Sequence, residues 1–283
     1  MQGCGLFHGI IMNILYYDCF SGISGDMNLA AMIDLGVDQQ YLKAELDKLG
    51  LGAEFELKVS VRSCSGIQGT QVHVCQNGWP HGYAHKHAHD HAAASVSHHG
   101  HHNAQHNAQH RNLAAIETII MSSDLQPEVK ATSLRIFDLI AQAEAKVHGK
   151  PVHEVHFHEV GATDSIVDIV GAAICFHALR VDAVWASAIE LGGGFVHCAH
   201  GTMPVPAPAT AEIVHGLPTT RGGTDHEATT PTGAAIIAAL ANRFTSAPAM
   251  STSKTGYGIG HRQSNRPNML RVHLASDDCP AHM

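Results

Sequence analysis

The sequence has no CxxC pair, no long apolar run and no cluster of basic residues. Its seven scattered cysteines predict neither a disulfide framework nor a thiolate zinc site, and a reducing cytoplasm is the expected location. No apolar segment approaches the roughly eighteen residues of a membrane helix. The net charge is -8 with histidine neutral, whereas phosphate backbones are bound by clustered Lys and Arg. Neither a membrane nor nucleic acid is therefore expected as a partner.

Aromatic residues are also scarce, at 5% of 283 residues, and only 15% are charged. The core must therefore be built mainly from Ala, Val, Ile and Leu, and the length suits one large domain or two modest ones. Residues 1–11 lack the charged start and cleavage pattern of a signal peptide. Because a clean strand pattern begins just after Met12, we expect these residues to be a mis-annotated leader.

The first ordered elements are predicted to be a buried strand, a loop and a helix. Asn13–Asp18 is apolar and favours a strand, and residues 26–35 have helical spacing with Asp26 as the expected N-cap. Free N–H groups at such a turn can hold an anion, although the same pattern also suits plain architecture. The candidate cofactor-binding residues of the turn are Asp18, Ser21, Gly22, Ser24, Gly25 and Asp26.

The remaining pattern predicts an α/β fold, a mixed sheet with flanking helices. Residues 54–62 and 70–75 alternate as an antiparallel strand pair, and Pro127–His148 has the spacing of a long core helix. We expect one α/β domain formed by residues 12–78 and 111–276. The segment that begins TGYGIGHR at Thr255 is predicted to contain a glycine-rich turn before a last strand around residues 269–274.

Residues 79–110 interrupt that domain with eleven of the 25 histidines and almost no large apolar side chain. This composition predicts a disordered insertion that binds metal at many weak sites, or alternatively a polar linker with no role. Its candidate metal ligands are His85, His87, His89, His91, His98, His99, His101 and His102. If it stores metal, its deletion should affect metal loading only when metal is scarce.

The densest group of ligand-type residues lies in residues 151–173, PVHEVHFHEVGATDSIVDIVGAA. Imidazole and carboxylate donors suit borderline ions such as nickel, zinc or cobalt. The candidate metal ligands here are His153, His156, His158, Glu159, Asp164 and Asp168. His156, His158 and Glu159 are also candidate catalytic bases. For Asp164 and Asp168 the alternative is a structural role in the first turn of a helix, with Asp164 or Ser165 as its cap.

Three further patches carry polar chemistry. His197 and His200 lie beside Cys198 and are candidate metal ligands, and Arg262 and Arg266 could bind a phosphate or carboxylate. Thr229, Thr230 and Thr232 begin a helix, with Thr230 as the expected cap and Pro231 as its first residue. Their hydroxyl groups form a second candidate anion site.

The ordered series of motifs resembles the nickel insertion proteins of nickel-pincer cofactor biosynthesis, which mature lactate racemase. The motifs are MNILYYDCFSGISGDM, EVHFHEVGATDSIVDIVGAA, LGGGFVHCAHGTMPVPAPATAEI, EATTPTGAAI and KTGYGIGHR, separated after the first by the His-rich insertion. The resemblance covers residues 12–274. Several long motifs in one order make it far more specific than a single short pattern.

The resemblance implies that the chain binds Ni2+ and inserts it into pyridinium-3,5-bisthiocarboxylic acid mononucleotide. This activity would be that of a CTP-dependent cyclometallase, a lyase that forms metal–carbon and metal–sulfur bonds. Family members carry a C-terminal domain that binds CTP with Mg2+ or Mn2+ and that is absent here, so a separate C-terminal fragment is an expected partner. A nickel-pincer apoenzyme and a homo-oligomeric state are also expected.

Two other functions remain as alternatives. The chain could be a nickel storage or delivery protein without activity of its own. A zinc hydrolase is less favoured, because the sequence has neither HExxH nor a nucleophile elbow.

Overall fold

The computed structural model describes residues 12–76, 111–155, 157, 161–198 and 201–277. The leader, the His-rich insertion and the four residues His156, His158, Glu159 and His200 lie outside these ranges. Predictions about them therefore stay predictions. The strands are β1 (Asn13–Asp18), β2 (Phe55–Cys64), β3 (Ile67–Gln76), β4 (Ala183–Ala186), β5 (Ile189–Glu190), β6 (Phe195–Cys198), β7 (Gly201–Pro204), β8 (Thr219–Thr220), β9 (Arg243–Phe244), β10 (Ser251–Ile259) and β11 (Met269–Ser276).

Helices alternate with these strands along the chain. They are α1 (Gly25–Leu35), α2 (Gln39–Asp47), α3 (Leu113–Ser122), α4 (Pro127–His148), α5 (Thr163–Leu179), α6 (Pro208–Ile213) and α7 (Pro231–Leu240), with a 3-10 turn at Val152–Glu154. Within the described ranges, no helix has both the length and the apolar character to cross a membrane.

Seven strands form one mixed sheet in the order β2-β3-β10-β11-β1-β4-β9. β1 runs parallel to β4 and antiparallel to β11, and β2 and β3 form the predicted antiparallel pair. Two small two-stranded sheets, β5-β8 and β6-β7, lie outside it. The predicted α/β class with a mixed sheet and flanking helices is confirmed.

The sheet packs its helices mainly against one face. Alternate β1 residues Leu15 and Tyr17 are fully buried in the large core with the helices, while Ile14 and Tyr16 join a smaller cluster with Trp185. This alternation follows from the two-residue period of a strand. It leaves the end of β1 directed at the first turn of α1.

Strand β10 corrects the prediction of a glycine-rich turn in the segment that begins at Thr255. The first two glycines of that segment belong to a nine-residue strand, Ser251–Ile259, between β3 and β11. A Cβ at Gly258 would lie 1.9 Å from the Met27 carbonyl oxygen, and one at Gly256 would lie 2.4 Å from that of Ala31. Glycine is therefore needed because the backbone of α1 lies directly on this strand. The close contact brings the start of α1 to the end of β10.

Several predicted boundaries were wrong by a few residues. α1 is capped at Ser24 rather than Asp26, and α5 at Ala162 rather than Asp164 or Ser165, and neither cap makes a side-chain hydrogen bond. Residues 181–190 contain two short strands, β4 and β5. The cap at Thr230 is confirmed, since its hydroxyl accepts from the Gly233 N–H at 3.2 Å.

Candidate functional site

In the β1–α1 turn, predicted as an anion cradle, two N–H groups already donate hydrogen bonds to other groups of the protein. The Gly22 N–H donates to the Cys19 carbonyl at 3.0 Å, and the Ile23 N–H donates to the Thr229 hydroxyl at 3.3 Å. The Ser21 hydroxyl is buried and has no hydrogen-bond partner among the described residues. The turn is thus held mainly by its own bonds, and an anion-binding role for it stays a prediction.

Asp18, at the end of β1, is bound by an arginine of the neighbouring strand. Arg271 Nε donates to Asp18 Oδ2 at 3.0 Å, and its Nη2 donates to the same oxygen. The Asp18 carboxylate raises the pKa of Arg271 against the opposing effect of burial. Asp18 therefore neutralises a cation and is less available to a ligand than the sequence pattern indicated.

Asp26 lies in the first turn of α1 and meets a histidine that the sequence analysis missed. His261 Nε2 lies 3.2 Å from Asp26 Oδ2, and the Ser24 hydroxyl donates to Asp26 Oδ1. Burial raises the pKa of Asp26, but the contact with His261 and the bonds from Ser24 and Met27 outweigh it and leave that pKa below its usual value. The Asp26 carboxylate is thus ionised and faces an imidazole.

Asp168, one turn into α5, lies against the same helix start. A Cβ at Gly25 would lie 2.4 Å from Asp168 Oδ2, so only glycine leaves room for this carboxyl group. Asp168 Oδ1 is buried and has no hydrogen-bond partner among the described residues. Burial, together with the charges of Asp26 and Asp164, raises the pKa of Asp168 well above its usual value. Asp168 is neither the helix cap nor a paired carboxylate.

The ring of His261 has a defined tautomer. Its Nε2 lies 3.1 Å from the Val72 carbonyl oxygen as well as 3.2 Å from Asp26 Oδ2. Both partners only accept hydrogen bonds, so Nε2 must carry a hydrogen, and in the neutral ring Nδ1 has a free lone pair. The hydrogen bond with Asp26 raises the pKa of His261 against the effect of burial. The KTGYGIGHR motif contained this residue, but its partners could not be read from it.

The threonines at the start of α7 are engaged in the fold. The Thr229 hydroxyl donates to the Glu190 carbonyl at 2.7 Å, and Thr230 caps the helix. Thr232 is 8% exposed. These contacts tie α7 to the β1–α1 turn and to β5, and they support a structural role more directly than an anion site.

The described neighbours of the central histidine segment are anchored in the core. Phe157 is 1% exposed, and the Gly161 carbonyl accepts from the Arg111 N–H at 3.1 Å. Arg111 also donates two hydrogen bonds of 2.7 Å to Glu54 and one of 3.1 Å to the Thr163 hydroxyl. The start of α5 is therefore fixed, while the roles predicted for His156, His158 and Glu159 stay predictions.

The other predicted ligands lie apart from this cluster or in simple local contacts. His153 is exposed beside Glu154, His197 Nδ1 lies 2.7 Å from the Thr202 hydroxyl, and Asp164 accepts from the Ser165 N–H at 2.8 Å. Arg262 follows His261 directly, and its guanidinium forms no ion pair with a described residue. Across the ranges that the structure describes, no three His, Cys, Asp or Glu side chains form a metal-binding group.

Sequence comparison identifies the family to which this mixed α/β chain belongs. The family model described as "Nickel insertion protein" matches residues 15–282, so the chain belongs to the nickel insertion protein family. This confirms the resemblance stated from the motifs. No solved structure matched the chain in the same comparison.

Individual relatives agree with the family. A relative from Maridesulfovibrio salexigens is 69% identical over 265 residues, covering 94% of this chain and 63% of its own length. Proteins of Clostridium kluyveri and Clostridium acetobutylicum, both named pyridinium-3,5-bisthiocarboxylic acid mononucleotide nickel insertion protein, are 54% and 55% identical. They match 94% of this chain and 63% and 65% of their own lengths. The chain thus spans less than two thirds of these relatives.

Proposed function

We propose that this chain inserts nickel into pyridinium-3,5-bisthiocarboxylic acid mononucleotide, acting together with the further part that its longer relatives possess. The names of two relatives supply the substrate. The structural observation that supports the proposal is that Asp26 lies close to both Asp168 and His261 at the start of α1, although the described residues form no three-ligand metal group. Carboxyl and imidazole groups are of the chemical types that a borderline divalent ion accepts.

Nickel is a substrate in this reaction, so the protein must hold it and then give it up. Imidazole and carboxylate donors with open positions suit transfer better than four thiolates, which close the coordination sphere. The two thiocarboxylate sulfurs of the organic ligand then complete the binding of nickel. As the carbon–nickel bond forms, the ring carbon loses a proton, and His156, His158 or Glu159 is the proposed base.

The remaining parts of the proposed reaction come from the rest of the protein. The mononucleotide phosphate is proposed to bind Arg262, because its guanidinium has no ion pair with a described residue. CTP with Mg2+ or Mn2+ is proposed to bind the C-terminal part, which makes the activity that of a cyclometallase in the lyase class. The product is proposed to be delivered in the cytoplasm to an apoenzyme of the lactate racemase type.

The test combines the purified chain with Ni2+ and the thiocarboxylated mononucleotide, with and without CTP, Mg2+ and the C-terminal part of a relative. Mass spectrometry should find an adduct with the nickel isotope pattern and the loss of the ring proton. Absence of the adduct under every combination, with the chain folded by circular dichroism, would overturn the proposal.

The alternative function, storage or delivery of nickel, predicts a different response to deletion of residues 79–110. If the chain acts as an enzyme, the deletion variant still forms the adduct when nickel is in excess and is impaired only when nickel is limiting. Loss of all nickel binding on deletion would instead favour storage.

A further inference from the structure

We infer that His261 and His73 form a two-imidazole site for a divalent first-row metal ion, with Asp26 as the carboxylate that orients His261. Nickel is the ion that this site takes if the proposed function holds, so the identity of the metal rests on that proposal. The site differs from the predicted ligand sets, none of which includes either histidine. It lies where β10 separates from β3.

The His261 ring is held at the edge of β3. β10 pairs with β3 at Gly258 and Thr70, and the chain turns away after Ile259. His261 then returns to β3, where its Nε2 lies 3.1 Å from the Val72 carbonyl oxygen. The Gln71 side-chain amide donates to the Gly260 carbonyl at 3.1 Å, which holds the turn before the ring. The imidazole is therefore fixed against the backbone of β3.

The two nitrogens of the His261 ring have different roles. A metal-binding histidine commonly donates its other N–H to a carboxylate or a backbone carbonyl, which fixes the tautomer and makes the free nitrogen a better ligand. His261 Nε2 contacts one group of each kind, Asp26 and Val72. Its Nδ1 has no hydrogen-bond partner among the described residues, and the side chain is 43% exposed. Nδ1 is thus not engaged by a described group of the protein.

His73 supplies the second imidazole of the proposed site. The rings of His73 and His261 meet edge to face, with centroids 5.1 Å apart and planes at 78°. If each imidazole nitrogen lies about 2.0–2.1 Å from one ion, two rings bound side by side have centroids roughly 4.5–5.5 Å apart. The observed separation is within that range. Two imidazoles leave the other positions of the ion open for water or for an incoming ligand, as transfer requires.

The test is diethyl pyrocarbonate labelling of the full chain with peptide mass mapping, with and without NiCl2. Peptide mapping separates His73 and His261 from the histidines of residues 79–110. Nickel should protect His73 and His261, while MgCl2 should not, because magnesium prefers oxygen ligands. His273 is the matched control: its Nδ1 lies 2.9 Å from the Thr255 hydroxyl, so its labelling should not respond to nickel.

Three variants make the inference falsifiable. In His261→Gln, whose amide can still donate to the Val72 carbonyl, nickel protection of His73 should be lost. In Asp26→Asn, the nickel concentration that gives half protection should rise about 10–100-fold, as for other changes to such supporting groups. His73→Gln replaces an exposed residue of β3, so the variant should still fold, while nickel protection of His261 should be lost.

The inference is overturned if nickel leaves the labelling of both histidines unchanged, or if His73 is protected equally in His261→Gln. Protection without formation of the nickel adduct would support the site and count against the proposed function. Adduct formation without protection would count against the site and leave the proposed function supported.

Discussion

Two carboxyl groups, those of Glu190 and Asp168, lie close to the β1–α1 turn and have opposite surroundings. Glu190 is 3% exposed and accepts hydrogen bonds from the Gly192 N–H at 2.9 Å, the Gly223 N–H at 3.0 Å and the Thr220 hydroxyl at 2.7 Å. Arg266 Nη1 lies 3.8 Å from its second oxygen. Asp168 meets two acidic neighbours, and its buried Oδ1 meets no donor among the described residues.

Glu190 therefore has a structural role, whereas the Asp168 carboxyl group is available to a ligand. The bonds from Thr220 and Gly223 join Glu190 to a separate segment, and Arg266 also donates to the Phe20 carbonyl at 2.7 Å. A buried charge with such partners is a structural element. Asp168 contributes no comparable bond among the described residues, and burial with two acidic neighbours raises its pKa, so its position costs stability. Such a cost is typical of functional sites.

The largest expected effect is the loss of stability on removing the Glu190 side chain. Glu190→Ala leaves the buried Gly192 N–H, the partly buried Gly223 N–H and the Thr220 hydroxyl without their acceptor, so we expect the free energy of unfolding to fall by about 3–5 kcal/mol. Urea unfolding followed by circular dichroism measures it. Glu190→Gln is the matched control, since it keeps one acceptor oxygen and should lose less. Equal losses in the two variants would show that packing, and not hydrogen bonding, stabilises this site.

A smaller loss is expected from Thr220→Val, which removes one donor to Glu190 while keeping a similar volume. A hydrogen bond to a charged group contributes about 1.5–3 kcal/mol, so unfolding should require less urea by a corresponding amount. Thr219→Val changes the neighbouring exposed residue of β8 and should have little effect. If both variants behave alike, Glu190 does not depend on this donor.

Sequence periodicity and caps predicted the fold class well, because those signals are local. The strand β1, the β2–β3 pair and the Thr230 cap followed directly from residue types. β10 was missed because its glycines are required by contact with α1, which lies more than two hundred residues earlier in the chain. His261 was missed for the same reason: Asp26 and Val72 come near it only after β3, β10 and α1 have packed together.

Asp168→Asn should stabilise the protein, and the gain should depend on pH. The pKa of Asp168 is raised in the folded state, so its favourable contribution is complete below the unfolded pKa and is lost as pH rises through the folded pKa. The variant should match the wild type near pH 4 and unfold at a higher urea concentration at pH 8, with a gain of about 1–3 kcal/mol. Glu190→Gln should show no such gain. A destabilised Asp168→Asn at pH 8 would indicate that Asp168 is bound as an ion.

The smallest expected effect is the coupling between Asp26 and Asp168. The pKa of Asp26 is lowered, so its contribution is present above the unfolded pKa and is lost as pH falls through the folded pKa. At pH 8, Asp26→Asn weakens a partly exposed contact with His261, which costs less than about 1 kcal/mol, and also relieves repulsion with Asp168. These effects oppose each other, so the single variant should change little.

A double-mutant cycle separates the two effects. If the carboxylates repel, the repulsion is removed once by either substitution, and the changes of the two single variants should sum to about 0.5–1 kcal/mol more stabilisation than the double variant shows. The same cycle between Asp26 and Glu190, which share no hydrogen-bond partner in the described ranges, should be additive within about 0.3–0.5 kcal/mol. Additivity in the first cycle would mean that burial alone keeps Asp168 neutral. The contrast between the two carboxyl groups would then depend on the donors around them and not on the charge of Asp26.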